Sequence, residues 1–363
     1  MPAITWEMIK KTIHEKNHEY KKVEDNLDKG IGLYGSGQFG QLMLDYMKDN
    51  NYKIDCYLDS NRRRYGQKIQ DIEIKSLNNF SGGTILITVM RAIDKIEIRN
   101  SIKDDYPVMA FDEWFAIKNI DKYEYIRNVV LADDESKHVL DTIVYEMLTN
   151  SDSYYSEINS PEQYFCLKEF VEGYNDCFVD VGAYTGEGVE SFIWKKLGSF
   201  SKIYAFEPLS KNYNAMVKRV NRLIEEWGIE AGKIELVKAG ISDIESNMEV
   251  FIEEDRIRST TFLNNSVYSE KTEQIPIYTL DKYFADKTVT FIKADIEGFE
   301  MKMQKGAEEI IKRDKPKLAI CVYHRVNDIF DFVKYLGRIV PEYKFRLRHH
   351  SYNSSETVLY CNT

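Results

Sequence analysis

Residues 178–188 read Phe178-Val179-Asp180-Val181-Gly182-Ala183-Tyr184-Thr185-Gly186-Glu187-Gly188. A short apolar run meets an acidic residue and a glycine turn, then opens a helix. One βα unit later a second apolar run, Ile203-Tyr204-Ala205-Phe206, ends in Glu207-Pro208. A nucleoside-binding α/β sheet needs this pairing: a turn that lets the backbone come close, then a carboxylate roughly 20 residues on to accept both ribose hydroxyls. Here the pairing points to S-adenosylmethionine (SAM) and so to methyl transfer.

Working outward, the C-terminal part continues the alternation. Strands are expected at 178–181, 203–206, 234–237, 289–294 and 318–323, with helices at 213–226 and 301–313 between them. A helix at 329–339 is followed by two strands, 343–348 and 357–361, joined by a short polar turn. A parallel sheet closed by a terminal antiparallel hairpin is a mixed sheet. Toward the N-terminus, Ile4, Ile9 and Ile13 mark an amphipathic helix over 1–25. Strands at 30–34, 54–58, 84–89 and 108–111 then alternate with helices at 39–48 and 93–102. This is about half of a doubly wound sheet. Between the halves, 121–175 shows helical spacing (Val139, Leu140, Ile143, Val144, Leu148) and no strand pattern. The expected organisation is an N-terminal Rossmann-like accessory domain at 1–120, a helical connector at 121–175 and a catalytic domain at 176–363.

The chain has 363 residues, 43% of them hydrophobic and 13% aromatic, which is enough for two full cores. A formal charge of −10 argues against generic nucleic-acid binding, which needs a basic footprint. No run of about 18 apolar residues appears, so no membrane span is expected. The charged N-terminus lacks the apolar core of a signal peptide. The five cysteines have no metal-ligand spacing and read as buried thiols of a cytoplasmic protein.

With these segments in place, residues 160–363 resemble the FkbM-type family of SAM-dependent methyltransferases, which have the class I fold. The resemblance rests on FVDVGAYTGEG (178–188), YAFEPLSKNY (204–213), KAGISD (238–243), TLD (279–281), IKADIEGFEMKMQKGA (292–307) and ETVLYC (356–361). The DIEGFE element is the most discriminating. The resemblance implies O-methylation of a hydroxyl, on a sugar or a glycan- or polyketide-linked unit, with a small or nucleotide-linked sugar as acceptor.

In that frame Asp180, Gly182, Tyr184, Thr185 and Gly186 form the turn for the amino-acid end of SAM, where free N–H groups at a helix start suit a carboxylate. Glu207 accepts from the ribose, and Pro208 stops the strand. Gly240, Ile241 and Ser242 pass the adenine, unless they are ordinary turn residues. Asp295 and Glu297 end the fourth strand; Asp295 orients SAM or accepts the proton, and Glu297 is a base, an acceptor contact or a helix cap. His324, at the end of the fifth strand, is a second candidate base. The spacing of Asp295 and Glu297 alone is too weak to define a cation site, and no metal is expected. His349 and His350 line the acceptor pocket or form a polar strand end, Arg256 and Arg258 meet an anionic acceptor or stay solvated, and Tyr164 reaches the cofactor or packs.

Gly35-x-Gly37-x-x-Gly40, followed by Asp59, satisfies the dinucleotide fingerprint in the N-terminal half. Three roles fit it: docking of the acceptor or a nucleotide-sugar, a structural or homo-oligomerising domain, or NAD binding. An NAD- or nucleotide-sugar-dependent oxidoreductase or epimerase is therefore the first rival reading, and a non-catalytic cofactor-binding protein the second.

Overall fold

Short β-branched and aromatic runs alternating with amphipathic helices build two main sheets, one in each unit of the computed structural model, which describes residues 3–230, 232–251 and 272–363. Arg256 and Arg258 lie outside the described residues. The first unit comprises the described residues of Met1–Val129 with Asp133–Asn159 and Ser351–Ser354; the second comprises those of Val130–Ala132, Ser160–His350 and Ser355–Thr363. The segment 121–175 is thus divided: 121–129 and 133–159 lie in the first unit, 160–175 in the second.

In the first unit the strands are β1 (Ile31–Tyr34), β2 (Ile54–Leu58), β3 (Lys68–Ile69), β4 (Ile72–Lys75), β5 (Thr84–Ile87) and β6 (Val108–Ala110), in the order β3-β4-β2-β1-β5-β6. All pairs are parallel except the small β3–β4 hairpin. Sequence reading expects four strands; it misses β3, which is two residues long, and the alternating Ile72-Glu73-Ile74-Lys75 of β4. The helix Trp6–Glu24 buries Ile9 and Val23. The helix Asp134–Thr149 packs against it and against Phe111–Lys118.

In the second unit β7 (Cys177–Val181) is buried along its whole length, as a central parallel strand covered on both faces must be. It is followed by β8 (Lys202–Phe206) and β9 (Ile234–Val237). A side sheet missed by sequence reading comes next: β10 (Gly240–Ile241), β11 (Ser246–Phe251) and β12 (Thr272–Tyr278), ordered β10-β12-β11. The main sheet resumes with β13 (Phe291–Ala294), β14 (Lys317–Cys321), β15 (Lys344–His349) and β16 (Thr357–Asn362). Its order is β15-β16-β14-β13-β7-β8-β9. The last strand, β16, is antiparallel to both β14 and β15 and sits between them. The helix expected at 301–313 is broken into Glu300–Lys305 and Glu308–Asp314 around Gly306, whose backbone lies so close to Ser242 that a Cβ there would be 2.1 Å from its carbonyl oxygen.

One face of this sheet is closed by aromatic rings. Phe178 and Phe192 stack at 4.3 Å, and Phe165 and Phe170 pack edge-on to Phe291. The chain leaves β7 toward β8 on one side and later returns to β13 on the other. A crevice opens outside the carboxyl ends of strands at such a reversal, and the candidate site lies there.

Candidate functional site

A cavity of about 410 Å³ opens at the carboxyl ends of β7, β8 and β13. Gly182, Tyr184, Glu207, Pro208, Asp295 and Glu297 line it, together with Gly240, Ile241 and Ser242. Thr185, Gly186 and Asp180 do not.

Asp180 points down from β7 and is fully buried, with its carboxylate 2.9 Å from Lys293 Nζ. A Cβ at Gly188 would come within 2.4 Å of Asp180 Oδ2, so that glycine closes the turn over the pair. Lys293 also donates to the Gly182 carbonyl at 2.7 Å. Burial disfavours its charge, but the neighbouring Asp180 and Asp295 carboxylates outweigh this and hold the ammonium above its ordinary value. Lys293 is the charged residue inside the run Phe291-Ile292-Lys293-Ala294, and a lone lysine in a buried strand signals a buried acid opposite it.

The turn itself is shaped for packing. Gly182 has φ +78°, and a Cβ there would lie 2.0 Å from the Asp295 carbonyl oxygen. Its missing side chain makes room for the neighbouring strand end, whereas sequence reading assigns that room to a ligand. Gly186 (φ +91°) precedes the helix Glu187–Lys195, and Tyr184 is left-handed at φ +50°.

Glu207 is held at the tip of β8. Its Oε2 accepts the Tyr184 N–H at 3.0 Å, and its Oε1 accepts the Leu209 N–H at 3.0 Å and the Asn212 amide at 3.3 Å. Burial pushes this carboxyl up to about 7, against the pull of those donors. Its fixed orientation leaves the remaining lone pairs to the cavity.

At the other end, Asp295 Oδ2 accepts from Tyr164 at 2.8 Å and Oδ1 from Tyr323 at 3.3 Å. Burial opposes its charge, but Lys293, His324 and the Tyr164 hydroxyl bring the carboxyl below its usual range. Glu297 has φ +55°, a backbone cost that aims its side chain at the cavity. Burial pushes its carboxyl up to about 7. His324 is buried behind these two, with Nδ1 2.9 Å from Glu300 Oε1, and Nε2 3.5 Å from Asp295 Oδ1 and 3.8 Å from Glu297 Oε2. Burial works against its charge; Glu300, Asp295 and Glu297 reverse this and push the imidazole up to about 10. An imidazolium has no lone pair with which to take a proton, and His324 does not line the cavity.

The sequence reading missed Gln163, Tyr323 and Glu356, which complete this end. Gln163 donates to Glu356 at 2.6 Å. Tyr164, left open by sequence reading, lines the cavity and holds Asp295. His349 bonds Thr357 at 2.8 Å and His350 bonds Tyr360 at 2.9 Å; neither lines the cavity. In the first unit, Asp59 is engaged by its own turn. It accepts from the Ser36 hydroxyl and, at 3.3 Å, from Arg64. A Cβ at Gly40 would meet the Gly35 carbonyl oxygen at 2.0 Å, so close helix–strand packing accounts for that glycine. No helix among the described residues is long and apolar enough to cross a membrane.

Comparison with known proteins bears on the fold of the chain and on the domain that holds the cavity. Residues 180–347 match the family described as the methyltransferase FkbM domain. The crystal structure of methyltransferase FkbM from Methylobacillus flagellatus KT is similar over 98% of this chain and 98% of that one, at 22% identity and a TM-score of 0.59, which shows a shared fold. An rRNA methylase from Streptococcus thermophilus is similar over 58% of this chain and 93% of that one, at 16% identity and a TM-score of 0.33, too low to support an inference. No curated protein sequence matches the chain. Residues 180–347 of this chain are therefore similar to the methyltransferase FkbM domain, and the chain shares the class I Rossmann-like methyltransferase fold.

Proposed function

We propose that this protein is a SAM-dependent O-methyltransferase acting on a hydroxyl of a sugar or glycan-linked acceptor, free or nucleotide-linked. The observation that carries the reading is a single cavity with the N–H-anchored carboxylate of Glu207 at one end and Asp295 and Glu297 at the other. When bound, SAM supplies an electrophilic methyl group. The residues present fit it: Glu207 is fixed with lone pairs to spare for the ribose hydroxyls, Ile241 and Ile277 offer an apolar wall for the adenine beside Gly240 and Ser242, and Tyr184 and Gly182 bound the amino-acid end.

In this reading Asp295, steadied by two tyrosines, orients the reacting end. Glu297 accepts the acceptor proton, because its side chain is 36% exposed and that of Asp295 25%, so it is the more open of the two to an incoming hydroxyl. His324 holds the two carboxylates in place and accepts no proton. The main gain is orientation of the acceptor oxygen against the methyl carbon at about 3 Å. A cytoplasmic location belongs to the reading and is supported by five free cysteines. The first unit is assigned a docking or assembly role, since Asp59 is already bonded within its own turn.

The test is calorimetric titration with S-adenosylhomocysteine, followed by a screen of sugar acceptors with methyl-labelled SAM. Micromolar binding at one site per chain and label in a base-stable ether are expected. Label in an amine or ester would overturn the O-methyl assignment. Absence of binding to the folded chain, with and without acceptors, would overturn the cofactor assignment.

A further inference from the structure

Behind the acceptor end of the cavity, three side chains from the loop and helix after β13 and from the end of β14 converge. Asp295 follows β13, Glu300 opens the helix Glu300–Lys305, and His324 follows β14. One ligand-type atom from each lies within 4.8 Å of the others. Opposite ligands around an ion with bonds of about 2.1 Å stand about 4.2 Å apart, so a small side-chain adjustment closes the set.

The polar atoms here are in close contact yet unsatisfied. His324 is 8% exposed and Glu300 0%. Although His324 Nδ1 lies 2.9 Å from Glu300 Oε1, and Nε2 3.5 Å from Asp295 Oδ1, neither ring nitrogen makes a hydrogen bond. Glu300 Oε2 is likewise buried without a partner, while Oε1 accepts the Ile296 N–H at 2.8 Å. Without an ion, a proton on His324 balances the neighbouring carboxylates although neither ring nitrogen has a hydrogen-bond partner; a bound cation displaces that proton and takes the lone pair it held. Buried donors and acceptors in a native fold are satisfied by some partner. A cation seated among the three engages one nitrogen of His324 together with carboxylate oxygens of Asp295 and Glu300, because ligand atoms sharing an ion lie at such separations and point at the ion rather than at one another.

We propose that Asp295, Glu300 and His324 form a divalent-cation site beside the acceptor end of the cavity. One imidazole with two carboxylates suits Mn²⁺ or Zn²⁺ better than Ca²⁺ or Mg²⁺, which favour oxygen alone. Tyr164 and Tyr323, bonded to Asp295, are the outer hydrogen bonds that orient a ligating carboxylate. Glu297 Oε2, 3.8 Å from His324 Nε2, is the nearest further ligand. Since Asp295 also lines the cavity, an acceptor oxygen there would lie next to the ion. This last step rests on the methyltransferase reading; the site itself does not.

The experiment uses the full chain, stripped with a chelator. Mn²⁺ binding is followed by electron paramagnetic resonance and Zn²⁺ binding by calorimetry, with S-adenosylhomocysteine affinity measured in parallel. A single ion per chain is expected, bound at least about 10-fold more weakly by Glu300→Gln and by His324→Gln. Glu207→Gln, remote from the cluster, binds the ion as the parent does. Circular dichroism checks that each variant is folded, and Asp295→Asn replaces any that is not. No binding of either ion at millimolar concentration, or undiminished binding by both variants, overturns the site. S-adenosylhomocysteine binding without metal binding removes the cation site alone; metal binding without it removes the cofactor reading alone.

Discussion

A Cβ on Gly182 would lie 2.0 Å from the carbonyl oxygen of Asp295. The turn after β7 and the end of β13 are thus in backbone contact, and the two halves of the site are one packed unit. Gly182 also has φ +78°, so an alanine adds a backbone penalty to the clash. Gly182→Ala is expected to lose about 3 kcal/mol or more in urea denaturation, by analogy with overpacking and strained φ together. Gly37→Ala is the control: its Cβ would meet nothing within 4 Å and its φ is −76°, so it is expected to stay within about 1 kcal/mol.

Lys293 and Asp180 form a buried pair beneath that turn. Lys293→Met leaves a buried carboxylate with no cation and is expected to cost about 3–5 kcal/mol. The double variant Lys293→Met with Asp180→Asn is expected to recover a substantial part of this, measured in the same denaturation series. A double variant no more stable than the single one would show that the pair does more than balance charge.

Glu207 links binding to pH. Its carboxyl is raised from 4.5 to about 7. A raised carboxyl in the fold contributes stability that is fully present below 4.5 and is lost as pH rises through about 7. Relative to Glu207→Gln, the ligand-free wild type should therefore fall in thermal stability across that window. S-adenosylhomocysteine affinity should move the other way, strengthening as the carboxylate ionises, and the Gln variant should lose this dependence. Flat profiles in both proteins would remove Glu207 from the ribose contact.

Two hydroxyls hold Asp295, and they differ in length. Tyr164 donates at 2.8 Å and Tyr323 at 3.3 Å. Tyr164→Phe is expected to cost about 1.5–3 kcal/mol, the range for a hydrogen bond to a charged group, and Tyr323→Phe less. Chemical denaturation of both variants tests the ranking.

Glu297→Gln is expected to reduce methyl transfer by about 10²–10⁴-fold while leaving S-adenosylhomocysteine affinity within a few-fold of wild type. Full turnover in the variant would mean that acceptor deprotonation does not depend on this carboxylate.

Much of this molecule is legible in one dimension. Apolar runs ending in Asp180-Val181-Gly182 and Phe206-Glu207-Pro208 announce strands, a turn and a carboxylate at a strand tip, because strand period and glycine turns are local properties. The helix expected at 213–226, observed over Ser210–Trp227, and the terminal hairpin follow from the same local rules. The side sheet containing Gly240–Ile241 and Thr272–Tyr278 was not legible, because its strands pair across a long separation and β10 is two residues long.

The sequence by itself determined the class I sheet and placed Glu207, Asp295 and Glu297 at strand ends. Only the tertiary structure decided what each side chain faces. It buried Asp180 against Lys293, turned His324 onto Glu300, and brought Glu356 and Tyr164 to the cavity from opposite ends of the second unit. The physical reason is that strand order and side-chain direction depend on non-local pairing. A residue's charge can be read from its identity, but whether it is paired, desolvated or open to a ligand depends on neighbours that the chain order does not place beside it.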